Sequence, residues 1–516
     1  MAAQLNALSR HHQAHLAEIA RTLNALSDPQ RGTLGIKEWK PVEAYDRVEY
    51  LFVKLTGALE SGFDAVVEGR TEHVDVRWFA NRIARAAISG GPVSSSSLAV
   101  DGTDVETWGA LRGDASTLEP DGDTEDRGTV GGAGASPPGA RPRRPGASAR
   151  RRAKIFGIGP DGRKIYTVDP EARAGHRSAT NSRPAGPYVG YELHLAVQTR
   201  DVRWSNGIDK IALGPEVPNV VTNLSLVPAG SHRAKAIVPE LLDSHRRGQV
   251  IEDVVWDPGY SLCLAETAHH PLHRAGVHVT FQPVTHQRGR RPFAGDAALV
   301  DGQLFSSFLP QDLVDLPVPP RGASVEEKLS YERAFNRRAL YRYSRHAGPE
   351  ADGTTRWQCP FCKGLLRSRA FPRTMRRSKT VPLVEVPGGT ECCSGILSVT
   401  PAQLPLWQRL PFGTTAWRIS MGRRQAAESA NSALKGSFAD IGRKFFRVFG
   451  VAKVTFLLAF TVAAFNLDRV RSFLAKRGAT MNGERRTRAK RRVGTWADLL
   501  PGEPESPAGP RLRPPG

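Results

Sequence analysis

Cysteine is scarce in this chain, and its scarcity excludes the small secreted domains that depend on a disulfide framework. Five cysteines are spread over 516 residues, whereas a disulfide scaffold concentrates its cysteines in a short chain. The first 23 residues, MAAQLNALSRHHQAHLAEIARTL, also lack the apolar core of a secretory signal peptide. We therefore expect a cytoplasmic protein.

Long apolar runs are almost absent as well. The one stretch that suggests a membrane span is VAKVTFLLAFTVAAFNL, residues 451–467. It contains Lys453, and it is shorter than the roughly 20 apolar residues that a spanning helix needs. We predict a buried core helix here, and a membrane-associated basic protein is the alternative.

Acidic residues are few beside the basic ones. The chain has 72 Lys and Arg against 51 Asp and Glu, which gives a formal net charge of +21 and a pI of about 10.2. A surplus of this size is typical of proteins with a polyanionic partner, most often nucleic acid. A solvated basic surface or tail is the alternative explanation.

Apolar periodicity divides the ordered part of the chain. Residues 1–90 show helical spacing in KPVEAYDRVEYLFVKLTGALESGF and VRWFANRIARAAI, so we predict a helical N-terminal domain. It is either a DNA-binding or dimerisation domain or a plain helical cap. Within 91–283, strand-like runs and helical stretches follow in the order β-β-β-α-β-α-β, which predicts an α/β mixed sheet flanked by helices. Ser231 is the predicted N-cap of the first of these helices.

Three further segments have a different composition. Residues 109–153, rich in Gly, Pro and Arg, and the basic, proline-rich tail 476–516 cannot bury enough apolar surface to fold. We predict disordered basic segments there. Residues 284–415 have weak periodicity and contain four of the five cysteines, and we interpret them as an inserted subdomain. Residues 416–475 then complete the core with two helical stretches.

Three carboxylates far apart in sequence are the candidate catalytic residues. Asp101 in SSLAVDGTDVETWG and Asp257 in IEDVVWDPGYSL follow apolar runs that predict buried strands, and Glu428 in MGRRQAAESANSALKG lies in a helical stretch. A lone Asp-Gly or Asp-Pro-Gly is usually only a turn. Three such acids brought together would repel one another unless a metal lies between them, as in two-metal phosphoryl transfer.

The helical stretch around Glu428 has a second signal. Arg424, Glu428, Asn431 and Lys435 are spaced by four, three and four residues, so a regular helix would place them on one face. An exposed, salt-bridged face has the same pattern. A phosphate-handling site would use the acid as metal ligand, Arg424 to orient it and Lys435 to contact a DNA phosphate.

Together these segments resemble the DDE transposases of bacterial insertion sequences, whose catalytic core is ribonuclease-H-like. AVDGTDVET resembles the first-aspartate strand, GYELHLAV the second strand and VVWDPGYS the second-aspartate strand, while Arg424, Glu428 and Lys435 match the Arg-x3-Glu-x6-Lys pattern around the catalytic glutamate. The likeness covers roughly 94–108, 160–283 and 415–470. One departure is Met421, which stands where the family has a tyrosine.

The resemblance implies a function. Two Mg²⁺ ions held by Asp101, Asp257 and Glu428 would activate water and then a 3′ hydroxyl for attack on a phosphodiester. The partners would be the DNA of the element ends and of the target, with a homodimer in the DNA complex. The alternative is a catalytically inactive DNA-binding protein derived from such an enzyme.

Cysteines and histidines are the other residue types that could bind metal. Cys359 and Cys362 form CPFC, and Cys392 and Cys393 follow about thirty residues later. This set is either a structural zinc site or four thiols, because adjacent cysteines are awkward ligands for one ion. The histidines at 269, 270 and 273 lack a partner set of acids or cysteines, so we expect surface or core histidines.

Overall fold

The computed structural model describes residues 16–89, 94–118, 151–177, 184–204, 211–320, 322–386, 395–439, 441–442 and 445–481. The chain divides into two compact units. One comprises Met1–Ala87, Ala433–Val448 and Ala452–Gly516, and the other comprises Ile88–Ser432 and Phe449–Val451.

The first unit is mainly helical. Its helices are α1 (Leu16–Asn24), α2 (Asp28–Leu34), α3 (Pro41–Ser61) and α4 (Val76–Ala86), joined later in the chain by the long α12 (Val451–Met481). A hairpin of β1 (Phe63–Val67) and β2 (Arg70–Val74) interrupts the predicted helical region. This hairpin was not predicted from the sequence. Its turn residues Glu68 and Gly69 both have positive φ, as a tight two-residue hairpin turn requires.

Helix α12 is the predicted apolar helix. Within the first unit, the Phe456 ring stacks on Phe79 at 5.1 Å and meets Phe52 edge-on at 5.6 Å. Asn466 Nδ2 donates a hydrogen bond of 3.0 Å to the Ala84 carbonyl. By length and composition α12 is apolar enough to cross a membrane over Val451–Gly478, and 72% of its most apolar window is buried inside the protein. A long buried core helix passes the same test of length and composition.

The second unit is built on a mixed sheet. Its strands are β3 (Ser97–Glu106), β6 (Arg173–Arg177), β7 (Gly186–Thr199), β10 (Val221–Pro228), β11 (Asp253–Trp256) and β12 (His278–Thr280). The order is β10-β7-β3-β11-β12, with β6 also paired to β7. Strands β3, β11 and β12 are parallel, and β7 runs antiparallel to both β3 and β10. The predicted mixed α/β class is thereby confirmed.

Helices α5 (Arg233–Arg246) and α7 (His269–Arg274) belong to the same hydrophobic core as the sheet. Leu98, Leu241, Trp256 and Phe281 are among its fully buried side chains, which explains why the strand segments read as continuous apolar runs. The N-cap of α5 is His232, not the predicted Ser231, because the His232 ring accepts the Lys235 N–H at 3.3 Å.

The described residues of the region 284–415 form two small antiparallel sheets and two α-helices, one long and one short. The first sheet is β13 (Arg290–Pro292), β14 (Ala297–Val300) and β15 (Gln303–Ser306); the second is β16 (Ser344–Ala347), β17 (Thr355–Gln358) and β18 (Ile396–Val399). Helix α8 (Val325–Ala339) separates them in sequence. The short helix α9 (Pro360–Lys363) follows β17.

Small pairs and short helices complete the described elements. The pairs are β4 (Gly157–Ile158) with β5 (Lys164–Ile165), and β8 (Val202–Trp204) with β9 (Ile211–Leu213). Three helices border the candidate site: α6 (Pro258–Ser261), α10 (Thr415–Gly422) and α11 (Gln425–Ser432).

Some residues of the two segments predicted to be disordered are described and ordered. Residues 109–118 and 151–153 are described, and Asp114 N donates to the Arg151 carbonyl at 2.9 Å. Helix α12 continues to Met481, so the first residues of the predicted tail are helical. Residues 119–150 and 482–516 lie outside the described residues.

Candidate active site

Asp101 and Asp257 come from neighbouring parallel strands. Val100 of β3 is the pairing partner of Trp256 of β11, so each aspartate directly follows one member of that pair. Strand β11 ends there, whereas β3 continues to Glu106 alongside β7. The two carboxylates therefore lie at the level where the parallel pairing of β3 and β11 stops.

Asp257 is held by its own turn and by two arginines. It caps α6, because its Oδ2 accepts the Gly259 N–H at 3.0 Å. Arg424 Nη1 donates to Asp257 Oδ1 at 2.9 Å, and Arg233 Nη1 lies 4.0 Å from Asp257 Oδ2. The turn that the sequence offered as the alternative is present, because this carboxylate caps it.

Glu428 joins the aspartates through the helix that carries it. The guanidinium of Arg424 that binds Asp257 also places Nη2 2.6 Å from Glu428 Oε1. One turn further along α11, Asn431 Nδ2 donates to Asp101 Oδ2 at 3.1 Å. The predicted shared face holds for Arg424, Glu428 and Asn431, which together connect all three predicted acids.

The fourth member of that face is positioned by a different geometry. Lys435 lies in a π-helical turn, Ala433–Ser437, that follows α11. A π-turn has more residues per turn than an α-helix, so the four-residue spacing that put Lys435 on the predicted face does not apply beyond Ser432. The turn also belongs to the first unit. The placement of Lys435 on the face of Glu428 and its contact with DNA both stay predictions.

The electrostatics of the site centre on Asp101. Burial raises the pKa of Asp101 to about 6, and the nearby Asp257 carboxylate contributes to the rise, against the opposing effects of Arg424, the Gly102 N–H and Asn431. Burial is the largest of these effects, so the raised pKa of Asp101 reflects chiefly the loss of water around its carboxylate.

The oxygen donors here suit a divalent cation. In the described part of the chain, no group of three or more His, Cys, Asp or Glu side chains is arranged to hold a metal ion. The Arg424 guanidinium binds both Asp257 and Glu428. The buried Asn431 Oδ1, however, has no hydrogen-bond partner among the described residues. Carboxylate and amide oxygens are the ligands that Mg²⁺ takes, so the side-chain types of Asp101, Asp257, Glu428 and Asn431 suit the ion, while their arrangement has the Arg424 guanidinium between two of the acids.

A second buried network, which was not predicted from the sequence, borders the site. Arg233 Nε lies 3.0 Å from Glu192 Oε1, and the ring nitrogen His194 Nδ1 lies 2.7 Å from the Tyr260 hydroxyl. Burial raises the pKa of Glu192 above its ordinary value and lowers that of His194 to about 3. The available signal was the Glu-x-His pattern inside a strand, β7, in which nearly every residue is buried.

Two glycines allow the side chains of this network to approach the backbone closely. A Cβ on Gly102 would lie 3.2 Å from both Glu192 Oε1 and His194 Nδ1, and a Cβ on Gly259 would lie 2.0 Å from Arg233 Nη1. Each glycine closely follows a predicted catalytic aspartate, at Asp-Gly and Asp-Pro-Gly. These glycines therefore allow close approach of the network in addition to forming turns.

Asp253 of β11 forms a buried ion pair near the site. Its neighbour Glu252 is exposed. The Asp253 side chain is only 13% exposed, and its Oδ2 lies 2.5 Å from Arg423 Nη2. Arg423, which is 1% exposed, thus ties the corner between α10 and α11 to β11.

The predicted zinc residues are partly described. Cys359 is buried and Cys362 half-buried in an aromatic cluster with Trp357 and Phe361, while Cys392 and Cys393 lie outside the described residues. Cys359 N donates to the carbonyl of Gly395 at 3.1 Å, and Gly395 follows Cys393 by only two residues in the sequence. Zinc binding stays a prediction.

Two of the three histidines, at 269 and 270, lie in the core, and that none of the three binds metal stays a prediction. His269 and His270 are buried, and the His269 ring packs 4.7 Å from Phe281 and 5.1 Å from Trp256. Burial lowers the pKa of His269 well below its ordinary value. These are neutral core histidines.

No protein-family model, curated protein or solved structure matches this chain.

Proposed function

We propose that this protein is a DDE-type DNA transposase with a ribonuclease-H-like core, which cleaves and joins phosphodiesters at the ends of a mobile element. The observation that carries the proposal is the convergence of Asp101, Asp257 and Glu428. They are separated by more than 150 residues each in sequence, yet the Arg424 and Asn431 side chains link them into one cluster. The order of the strands around them supports the same assignment.

Each residue has a role in the proposed reaction. Asp101, Asp257 and Glu428 would hold two Mg²⁺ ions, with Asn431 Oδ1 as a further oxygen donor. If bound there, Mg²⁺ would supply the charge that activates water or a 3′ hydroxyl and offsets the charge of the phosphate. Arg424 would have to leave its two acids for them to hold metal, and its guanidinium would then suit a DNA phosphate because it presents paired donors in a plane.

The surroundings of the acids preorganise them. Gly259 N and Arg233 orient the Asp257 carboxylate, and Asn431 orients that of Asp101. Fixed hydrogen bonds of this kind hold reacting groups in position before the substrate arrives. The partners in this proposal are the element-end and target DNA, with a homodimer in the complex, and the compartment is the cytoplasm.

One observation favours a second candidate. Arg424 already neutralises Asp257 and Glu428 within the protein, and a DNA-binding protein that has lost catalysis would keep such an ion-paired cluster as structure. The net charge of +21 supports DNA binding in either case.

A nicking assay separates the two candidates. Wild-type protein, Glu428→Gln and Asp257→Asn are incubated with Mg²⁺ and a supercoiled plasmid that carries the DNA flanking the gene. We expect nicking by the wild type and a loss of several orders of magnitude in both variants, because each loses a metal ligand. Equal nicking by wild type and Glu428→Gln, or none by the wild type under conditions where it binds the plasmid, would favour the DNA-binding protein.

A further inference from the structure

The region between α9 and β18 contains an unusual concentration of uncompensated positive charge. Between Asp352 and Glu385 the sequence has no acidic residue. Within residues 363–379, which we call the basic segment, five cations are exposed: Lys363, Arg369, Arg373, Arg376 and Lys379. No carboxylate of the described residues forms an ion pair with any of these five.

Two other arginines of the basic segment face inward and fix its shape. Arg377 donates to the carbonyls of Leu366 and Cys362, each at 3.0 Å. Arg367 donates from Nε to the Val381 carbonyl at 2.8 Å and from Nη2 to the Lys379 carbonyl at 3.1 Å. The arginines thus divide into a pair that binds the backbone and a set that is displayed to solvent.

Buried side chains also anchor the basic segment. Phe361 and Phe371 are buried and meet edge-on at 5.0 Å, and Thr374 is buried between two carbonyls, those of Ser368 and Phe371, that its hydroxyl binds. An anchored backbone holds the displayed cations with little loss of conformational freedom when a partner binds.

The displayed cations follow one another along the basic segment, as contacts to a linear polyanion require. Residues 372–376 form a 3₁₀-helix, in which side chains three residues apart lie one above the other. Arg373 and Arg376 are such a pair, and Arg369 and Lys379 flank them in sequence. Phosphates follow one another along a DNA strand at intervals of a few ångströms, so a row of cations can contact several in succession.

We propose that the basic segment binds the phosphate backbone of double-stranded DNA, outside the cluster of Asp101, Asp257 and Glu428. This assignment rests on the proposed function for the identity of its polyanion. It makes the inserted region a DNA-holding surface that acts by charge without reading sequence, since phosphate contacts position a protein but do not distinguish bases.

The test compares two matched double variants of the full chain. Arg373→Ala/Arg376→Ala removes two displayed cations of the basic segment. Arg333→Ala/Arg337→Ala removes two exposed arginines from α8, where Glu326, Glu327 and Glu332 surround them in sequence. Binding of a random-sequence DNA duplex is measured by fluorescence anisotropy over a range of NaCl concentrations, and thermal denaturation checks that each variant is folded.

For the basic-segment variant we expect the slope of log K against log salt to become shallower by about 0.9 for each phosphate that the protein no longer neutralises, or about two units in all. The α8 variant should keep the wild-type slope to within about half a unit. Equal slopes in the two variants would overturn the proposal. Tighter binding of the wild type to phosphatidylserine vesicles than to the duplex would also overturn it, because a membrane would then be the partner. The two proposals can fail separately. If the slope changes as expected but wild-type protein does not nick DNA, the basic segment binds DNA and the proposed transposase function is wrong.

Discussion

The buried Asp101 carboxyl lowers the stability of the folded protein at neutral pH. Burial and Asp257 raise its pKa from 3.8 to about 6, so the folded state holds the Asp101 proton more tightly than the unfolded state does. The resulting stabilisation is complete below the unfolded pKa near 3.8, and it is lost as the pH rises through 6. The charged form thus costs roughly 2–3 kcal/mol at neutral pH without metal.

Asp101→Asn should remove that cost. We expect the variant to match the wild type near pH 4 in EDTA and to become more stable than it, by up to roughly 2–3 kcal/mol, at pH 7. Urea denaturation of both proteins across this pH range measures the difference. A difference that does not change with pH would show that the Asp101 carboxyl is solvated and that the cluster is looser than described.

Gly259 lies too close to Arg233 to accept a larger side chain without a shift. An alanine Cβ would lie 2.0 Å from Arg233 Nη1 and 3.1 Å from Asp257 Oδ2, so Gly259→Ala should displace the Arg233 guanidinium and destabilise the fold by about 1–3 kcal/mol. Gly57→Ala is the matched control, because no atom lies within 4 Å of its added Cβ. That variant should be neutral or gain up to about 1 kcal/mol in helix α3. Similar unfolding free energies for the two variants would contradict the close approach of Arg233.

At the scale of elements, the buried ion pair Arg423–Asp253 holds the corner between α10 and α11 against β11. Arg424 and Glu428 follow directly after that corner. Arg423→Met would leave the Asp253 carboxylate largely buried without its cation, although Ser97 Oγ also donates to it. We expect a loss of about 3–5 kcal/mol in unfolding free energy. Arg423→Met/Asp253→Asn should recover much of it, because no uncompensated charge remains. An equal loss in the double variant would show that Arg423 acts through its bonds to backbone carbonyls instead.

The CPFC turn carries the zinc prediction. If Cys359, Cys362, Cys392 and Cys393 bind one ion, purified protein should contain about one zinc per chain, with sulfur ligands at about 2.3 Å in X-ray absorption. Cys359→Ser should lose the metal, whereas Cys263→Ser, outside the predicted set, should keep it. Zinc content well below one per chain in wild-type protein would indicate thiols.

The sequence predicts the elements that form by apolar burial better than those that depend on turn conformation or on distant ion pairs. Buried strands such as β7 and β11 were located because apolar, β-branched runs report burial directly. The β1–β2 hairpin was missed because the Glu68–Gly69 turn depends on backbone conformation, which apolar periodicity does not register. The role of Asp253 was missed because its partner Arg423 is 170 residues away, and long-range charge pairing leaves no local pattern.

At the scale of the whole molecule, the candidate site was predictable as a list of acids but not as a geometry. The apolar runs located the strand that contains Asp101 and the strand that ends just before Asp257, and the helical spacing placed Glu428 beside Arg424 and Asn431. Nothing in a local pattern shows that one guanidinium would bridge Asp257 and Glu428, or that Glu192 and Arg233 would lie against the same cluster. The π-turn that carries Lys435 likewise could not be inferred from a spacing rule that assumes a continuous α-helix.

The last prediction separates DNA binding from DNA cleavage across the molecule. Lys435→Ala removes one cation, so the slope of log K against log salt should become shallower by about one unit, and strand transfer should slow. Glu428→Gln removes a metal ligand's charge but no cation, so its salt slope should stay at the wild-type value while nicking falls by orders of magnitude. The same DNA duplex and plasmid serve both proteins, with anisotropy for binding and gel analysis for nicking. If Lys435→Ala leaves the salt slope unchanged, Lys435 contacts no phosphate, and the likeness of this helix to the Arg-x3-Glu-x6-Lys pattern ends at Glu428.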